Sequence, residues 1–186
     1  MSEIIPAILP TNIADLDFKL SQIPKEVRLV HLDTLEADIW IEPLGINFEV
    51  HLMVKQPGEI VERWVKRGAK RIIVHTLEEK ISKFKGKVEI GLAVELETPL
   101  EEVSPLVPQI DFIHLMSIAQ IGAQGHPLDE QIFDRIKKVK EKFPQVPMSI
   151  DGGINITNYQ ALQNAGADRL VVGSGFQELW KSLTKN

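Results

Sequence analysis

Residues 165–175 read Ala-Gly-Ala-Asp-Arg-Leu-Val-Val-Gly-Ser-Gly, and they contain a helix-to-strand junction that decides the fold. Gly166 follows a segment whose apolar residues recur every three or four positions, and a glycine in that place is typical of a helix end. The run from Arg169 to Val172 is short and rich in β-branched residues, which indicates a buried strand. The same junction occurs at Arg67-Gly68-Ala69. The sequence therefore predicts helices that lead directly into strands.

This alternation continues along the whole chain. The predicted strands are Ile4–Leu9, Leu29–Asp33, Phe48–Val54, Arg71–Thr76, Val88–Glu95, Ile110–Ser117, Pro147–Asp151 and Arg169–Val172. The predicted helices are Asn12–Gln22, Gly58–Arg67, Leu77–Phe84, Leu100–Val107, Asp129–Lys142, Asn158–Asn164 and Phe176–Leu183. The segment from Thr34 to Asn47 lacks a helical pattern, so we expect the second strand–helix unit to be shortened.

Strands that alternate with helices lie parallel and are joined by right-handed crossovers. Eight such units are the number that closes a (β/α)₈ barrel. We therefore predict an α/β protein, a compact TIM barrel that forms a single domain over residues 1–186 and has a shortened second unit. A doubly wound sheet is the alternative, but the loop Pro10-Thr11-Asn12 after the first strand lacks the glycine-rich dinucleotide fingerprint.

Composition limits the classes of partner. The chain has 186 residues, of which 44% are hydrophobic and 25% charged, and its formal net charge is −5. A negative net charge without a long basic run argues against a nucleic-acid partner. The chain has no run of 18 apolar residues, so no membrane span is predicted. We expect a cytoplasmic protein. The chain has no cysteine, so any metal ion must be held by nitrogen and oxygen ligands.

Histidine and aspartate side chains lie where three of the predicted strands meet the barrel mouth. His31 and Asp33 are two positions apart on the second strand and therefore share a face, while His51 lies on the third strand and Asp151 ends the seventh. Barrel active sites form at the carboxyl ends of the strands. Imidazole and carboxylate ligands suit zinc, iron(II), manganese or cobalt, which predicts one divalent metal ion at these four residues.

Two further histidines lie on predicted strands. His75 ends the fourth strand and His114 lies on the sixth. A single histidine on an apolar strand is more often a hydrogen-bonded core residue than a ligand, and the sequence favours that interpretation for both.

Glycine-rich loops follow the last two strands. Gly152 and Gly153 follow the seventh strand, and Gly173 and Ser174 follow the eighth. These two loops form the phosphate site of many barrels, because glycine lets backbone N–H groups approach an anion and the next helix N-terminus attracts it. We predict a phosphorylated ligand, with tight strand–helix turns as the simpler alternative. The stretch 122–126, which includes Gly122 and Gly125, is either a lid or a flexible turn.

Several short motifs together resemble the ribulose-phosphate 3-epimerase family. They are Pro6-Ala7-Ile8-Leu9, His31-Leu32-Asp33, His51-Leu52-Met53-Val54, Leu115-Met116-Ser117, Asp151-Gly152-Gly153-Ile154-Asn155 and Val172-Gly173-Ser174. Their order and approximate spacing match that family almost from end to end. The resemblance implies a (β/α)₈ enzyme of the isomerase class, acting in the pentose phosphate branch of carbohydrate metabolism.

The resemblance also implies roles for individual residues. His31, Asp33, His51 and Asp151 would bind one divalent metal ion, and the two aspartates would also act as acid and base. The enzyme would invert C3 of D-ribulose 5-phosphate through a metal-stabilised enediolate to give D-xylulose 5-phosphate. Met53 and Met116 match methionines that line the intermediate, although core packing explains them equally well. The implied partner is a small phosphorylated sugar, and family members associate as homo-oligomers.

The chain departs from the family pattern near the sugar. Ala7 stands where a serine that contacts substrate is usual, and Pro10 replaces a small polar residue. Thr34-Leu35-Glu36-Ala37 replaces a methionine, aspartate and glycine, and the lid is reduced to Ile121-Gly122-Ala123-Gln124-Gly125. Two alternatives therefore accompany the pentose-phosphate epimerase: an epimerase of another ketose phosphate, such as a six-carbon sugar phosphate, and a non-catalytic barrel that binds a sugar phosphate.

Overall fold

The computed structural model describes residues 2–118, 122 and 125–184. In that part of the chain, eight parallel strands pair in sequence order and close into a barrel in which the first strand lies beside the eighth. The strands are β1 Glu3–Ile8, β2 Leu29–Thr34, β3 Asn47–Leu52, β4 Arg71–Val74, β5 Glu89–Val94, β6 Phe112–Met116, β7 Met148–Asp151 and β8 Arg169–Val172. The predicted TIM barrel is confirmed.

Helices cover the outside of the barrel. They are α1 Ile13–Ser21, α2 Pro57–Lys66, α3 Glu79–Ser82, α4 Leu100–Val103, α5 Gln131–Lys142, α6 Tyr159–Ala165 and α7 Phe176–Thr184, with a 3₁₀ helix at Ser104–Gln109. Their apolar faces pack on the outer side chains of the strands, as shown by Val61 and Trp64 of α2, which are 1% exposed. No helix within the described ranges is both long and apolar enough to cross a membrane.

Two helices are shorter than the sequence predicts. The helix expected at Leu77–Phe84 is the single turn α3, because Glu78 is extended and its carboxylate accepts a hydrogen bond from the Gly58 backbone N–H at 3.1 Å. The helix expected at Leu100–Val107 changes to a 3₁₀ helix after Val103. Pro105 and Pro108 lack the N–H groups that would continue an α-helix there.

The connection between β2 and β3 contains no helix, as predicted, although every one of its residues from 35 to 46 is described. Aromatic contacts fill the space instead. The Trp40 ring lies 5.5 Å from the Trp64 ring and 5.2 Å from the Phe48 ring, between centroids. The Arg67 guanidinium lies over both tryptophans, at 4.8 and 4.7 Å, and donates hydrogen bonds to Asp38 at 2.6 and 3.1 Å. The connection therefore packs directly on the C-terminal end of α2.

Replacing Trp40 with alanine is expected to lower the free energy of unfolding by about 2 kcal/mol. This is below the roughly 3–5 kcal/mol cost of truncating a fully buried tryptophan, because Trp40 is half-buried. Urea unfolding curves would measure the change. Lys66→Ala is the control, since Lys66 lies on α2, the helix that Trp40 contacts through Trp64, and pairs with Glu62 at the surface. Equal stability of the two variants would contradict this role of Trp40.

Candidate functional site

The predicted metal ligands meet at the carboxyl ends of the strands. In the barrel register Asp33 on β2 pairs with His51 on β3, and Met116 on β6 pairs with Asp151 on β7. His31 and His51 are fully buried, and Asp33 is 9% exposed. The pleat of β2 places His31 and Asp33 on the same inner face, as their spacing predicts.

The distances between these groups are those of one cluster. The Asp33 Oδ1 atom lies 3.2 Å from His31 Nε2 and 3.3 Å from His51 Nδ1. The Asp151 Oδ2 atom lies 3.8 Å from the same two ring nitrogens. The structure thus brings all four predicted residues together.

His114 is a fifth member of the cluster, although the sequence favoured a hydrogen-bonded core residue at this position. Its ring is fully buried, stacks on the His31 ring at 5.6 Å, and places Nε2 3.2 Å from Asp151 Oδ2. One potential ligand atom from each of His31, His51, His114 and Asp151 lies within 4.8 Å of the others. His114 precedes Met116 by two positions, so an inward-facing Met116 was the signal that could have revealed it.

The cluster suits a divalent metal ion. His51 Nδ1, the ring nitrogen that faces Asp33 and Asp151, is buried and has no hydrogen-bond partner among the described residues. An unpartnered buried ring nitrogen is costly unless something else satisfies it. Nitrogen and oxygen donors around one point are the ligands of zinc, iron, manganese and cobalt, which matches the predicted cofactor class.

Electrostatics in the cluster favour positive charge at its centre. Burial opposes ionisation of Asp33, but the adjacent His31 and His51 outweigh it and hold the pKa of the carboxyl well below its usual range. Burial also opposes charge on His31, yet Asp33 and Glu49 raise the pKa of its imidazole well above the usual value. An ionised Asp33 carboxylate therefore lies beside this point.

His75 contacts His51 through the ring nitrogen that faces away from the two carboxylates. His51 Nε2 and His75 Nε2 are 2.9 Å apart, so one of the two must donate a hydrogen bond. Burial, followed by the proximity of His51, lowers the pKa of His75 to about 4. His75 is therefore neutral near pH 7 and can accept from His51 Nε2–H, which leaves Nδ1 of His51 to face the carboxylates.

The loop after β7 is fixed by hydrogen bonds and by close packing. The Ser117 hydroxyl donates to the carbonyl of Gly152 at 2.6 Å, and Asn158 donates to that of Gly153 at 2.9 Å. Gly153 has a φ of +67°, and a Cβ atom there would lie 2.2 Å from the backbone nitrogen of Leu128. Both its conformation and its packing therefore require glycine.

The other predicted residues line one cavity at this mouth. Its walls include Asp33, His51, Met53, Met116, Gly122, Gly125, Asp151, Gly152, Gly153, Gly173 and Ser174. His31 is not among the lining residues but contacts Asp33, which is. Ala7, the position that departs from the family pattern, is also in the wall. The lid positions Ile121, Ala123 and Gln124 lie outside the described residues.

Comparison of the sequence with known protein families identifies its family. The model of the ribulose-phosphate 3-epimerase family matches residues 3–177. The chain belongs to the ribulose-phosphate 3-epimerase family. Membership confirms the resemblance found in the motifs and the prediction of an isomerase of this type.

Individual relatives in the family cover most of the chain. The ribulose-phosphate 3-epimerase of Chlamydia muridarum (strain MoPn / Nigg) is 32% identical over 93% of this chain and 87% of its own length. The ribulose-phosphate 3-epimerase of Schizosaccharomyces pombe is 24% identical over 93% of this chain and 86% of its own. The family match therefore spans the strands that carry all five cluster residues.

Solved structures of other enzymes share the fold. A tryptophan synthase α-subunit from Pyrococcus furiosus superimposes with a TM-score of 0.63 at 13% identity, over 99% of this chain and 92% of that one. A tryptophan synthase structure from Mycobacterium tuberculosis gives 0.68 at 11% identity, over 94% and 83%. At these identities the likeness shows the barrel fold alone.

Proposed function

We propose that this chain is a metal-dependent epimerase that inverts C3 of D-ribulose 5-phosphate to give D-xylulose 5-phosphate. The observation that carries the proposal is the position of Asp33 and Asp151. Both carboxylates line one cavity, both contact the same buried histidines, and a glycine-rich loop adjoins them. The names of the family relatives support the choice of substrate.

His31, Asp33, His51 and Asp151 would hold the metal ion, with Asp33 placed by its contacts with the two histidines. His114 offers an additional nitrogen. When bound, a divalent ion supplies the positive charge that stabilises an enediolate formed between C2 and C3. Zinc, iron(II), manganese and cobalt all accept this donor set, so availability would select among them.

Asp33 and Asp151 would perform the proton transfers. A C3 proton beside the C2 ketone is removed by one carboxylate, and the other returns a proton to C3 from the opposite face, which inverts the configuration. The two residues reach the cavity from β2 and β7, which are separated by several strands of the barrel. The direction of the reaction decides which aspartate acts as base.

Backbone groups of the last two loops would bind the phosphate. Gly152 and Gly153 follow β7, and Gly173 and Ser174 lie between β8 and the N-terminus of α7. The positive end of that helix dipole favours an anion. Met53 and Met116 would cover the reacting carbons, and Gly122 and Gly125 would contribute from the lid.

An epimerase of a larger ketose phosphate is the second candidate. Ala7 in the cavity wall offers no hydroxyl to the sugar, and the helix-free connection after β2 changes the rim beside Asp33. Both features reshape the part of the pocket that selects the sugar. The proton-transfer residues are unchanged, so the same reaction on a six-carbon substrate is chemically consistent with this site.

Hydrogen exchange tests the proposal directly. Purified protein supplied with manganese, iron(II), zinc or cobalt is expected to exchange the C3 hydrogen of ribulose 5-phosphate with D₂O and to form xylulose 5-phosphate. Nuclear magnetic resonance follows both events in one sample. Binding of the sugar phosphate without exchange, whichever metal is added, would show a non-catalytic barrel.

A panel of five- and six-carbon ketose phosphates separates the two candidates. The pentose phosphate is expected to give the highest kcat/KM. A higher value for a six-carbon phosphate would overturn the proposed substrate but keep the reaction. Ala7→Ser is the matched variant, and we expect it to lower KM for ribulose 5-phosphate because it adds a hydroxyl to the wall.

A further inference from the structure

A buried carboxylate beneath the cluster is not explained by the proposed reaction. Glu49 lies on β3 two positions before His51, so both side chains point into the barrel. Glu49 is 1% exposed, although an ionised carboxylate is rarely buried without partners. It is not among the residues that line the cavity.

Glu49 joins His31 to an arginine. Its Oε1 atom is 2.7 Å from His31 Nδ1, and its Oε2 atom is 2.9 Å from Arg71 Nη1. Burial opposes its ionisation, but the hydrogen bonds from His31 and Arg71 outweigh this and lower the pKa of the carboxyl to about 2. The side chain therefore has one oxygen for each partner, and both contacts are charge-assisted.

The arginine is itself held in place. Arg71 begins β4 and is also 3.2 Å from Glu3 and 3.2 Å from Glu89, at the starts of β1 and β5. Arg169, which begins β8, lies 3.0 Å from Glu89. These residues form an ion-pair ring at the amino ends of the strands. Glu3 on β1 and Glu89 on β5 therefore anchor Arg71 directly, Arg169 on β8 contacts both glutamates, and Arg71 anchors Glu49.

The contact with Glu49 determines which nitrogen His31 offers to the cluster. Because Nδ1–H donates to Glu49, loss of the second ring proton leaves the lone pair on Nε2. Nε2 is the atom that faces Asp33 at 3.2 Å and Asp151 at 3.8 Å. A carboxylate that accepts from the outer ring nitrogen fixes the tautomer and orientation of a metal-binding histidine and increases its basicity.

We propose that Glu49, oriented by Arg71, is a positioning residue that holds His31 with Nε2 directed at the metal site. This inference rests on the proposed metal centre and adds the support that the centre requires. The contact from the floor of the barrel sets the affinity for the ion, while the groups at the mouth select the sugar.

Cobalt(II) binding tests the inference without recourse to activity. Metal-free protein is titrated with Co²⁺ in competition with a chelator, and the visible absorption of bound cobalt reports its ligand geometry. Glu49→Gln keeps the side-chain volume but removes the charge. Because His31 and Arg71 both donate to Glu49, the amide must direct its own N–H groups at one of these two donors. We expect affinity to fall about 10- to 100-fold and the spectrum to shift.

Two further variants complete the test. Glu89→Gln is the control, because Glu89 pairs with Arg71 and Arg169 but lies outside hydrogen-bonding contact with His31. It is expected to leave the cobalt affinity within about twofold of the original and the spectrum unchanged. Glu49→Asp keeps the negative charge but places it one methylene further from the His31 ring, so it is expected to retain part of the cobalt affinity. This variant also tests the inference if Glu49→Gln does not fold.

Three outcomes would overturn the inference. Unchanged affinity and spectrum in Glu49→Gln, beside an unmodified protein that binds cobalt, would show that Glu49 contributes only to stability. An equal loss in Glu89→Gln would assign the effect to the ion-pair ring as a whole. An unmodified protein that takes up no cobalt would overturn the metal centre itself, a result distinct from the other two.

Discussion

Replacing Asp33 or Asp151 with asparagine is expected to lower the rate of C3 epimerisation by about 10³-fold or more. General acid–base catalysis by one positioned group contributes roughly 10²- to 10⁴-fold. Each replacement removes one of the two groups that inversion requires, and it also removes a carboxylate that contacts His31 in the cluster. Turnover assays with each purified variant would measure the loss.

Isotope exchange distinguishes loss of a base from general damage. With Asp33 replaced, Asp151 can still remove the C3 proton of the epimer that faces it, and the reverse holds for the other variant. We therefore expect each asparagine variant to retain exchange with D₂O for only one epimer, and the two variants to retain opposite epimers. Exchange of the same epimer in both would contradict a two-base mechanism.

Metal content must be measured in the same samples. A variant that has lost its metal ion would lose exchange for both epimers, which separates a ligand role from a proton-transfer role. Ser149→Ala is a suitable control, because Ser149 lies on β7 two positions before Asp151 and its hydroxyl has no hydrogen-bond partner among the described residues. It is expected to retain turnover.

The placement of the site residues was predictable from local patterns. A histidine and an aspartate two positions apart in a strand must share a face, and the parallel barrel brings the carboxyl ends of all strands to one mouth. His31, Asp33, His51 and Asp151 followed from these two rules. Their separations and pairings required the register, which pairs Asp33 with His51 across β2 and β3.

His114 and Glu49 show where sequence patterns fail. His114 is the one polar residue of β6, a pattern that a hydrogen-bonded core residue produces equally well. Glu49 shares a face with His51, but this spacing does not show which partner its carboxylate contacts. Their importance depends on the residue that each contacts: His114 stacks on His31 across the barrel interior, and Glu49 accepts from His31, its register partner on the adjacent strand. The first contact depends on closure of the sheet and the second on the register of β2 and β3, and no local pattern encodes either.

The fold shows the same division. The order of strands and the missing helix between β2 and β3 followed from periodicity, whereas the lengths of α3 and α4 did not. Glu78 leaves the helix because its carboxylate bonds to Gly58 on α2. A contact with another element therefore overrides the local preference of this segment.

Of the substitutions that add one methyl group at the barrel mouth, Gly153→Ala is expected to lower the free energy of unfolding most. A Cβ atom there would lie 2.2 Å from the backbone nitrogen of Leu128 and 2.6 Å from its Cα atom, and backbone cannot rotate away as a side chain can. The clash adds to the cost of the positive φ, which alone is roughly 1–2 kcal/mol. We expect the free energy of unfolding to fall by about 3 kcal/mol.

Gly68→Ala provides the matched control for this prediction. Gly68 has a φ of +90° but no described neighbouring atom within 4 Å of the added Cβ position, and it lies at the end of α2, away from the mouth. Its replacement costs only the energy of placing alanine at a positive φ. The difference between the two variants in the free energy of unfolding, measured with urea, therefore gives the cost of the clash at Gly153. Equal losses would show that the approach of Leu128 to Gly153 is unimportant.

The same pair of variants tests the proposed phosphate site. The methyl group at Gly153 displaces the loop after β7, so we expect KM for ribulose 5-phosphate to rise about 10-fold or more, the cost of roughly one charge-assisted hydrogen bond. Gly68→Ala is expected to leave KM unchanged. An unchanged KM in both variants would place the phosphate elsewhere on the barrel mouth, since a displaced loop cannot keep its N–H groups on the anion.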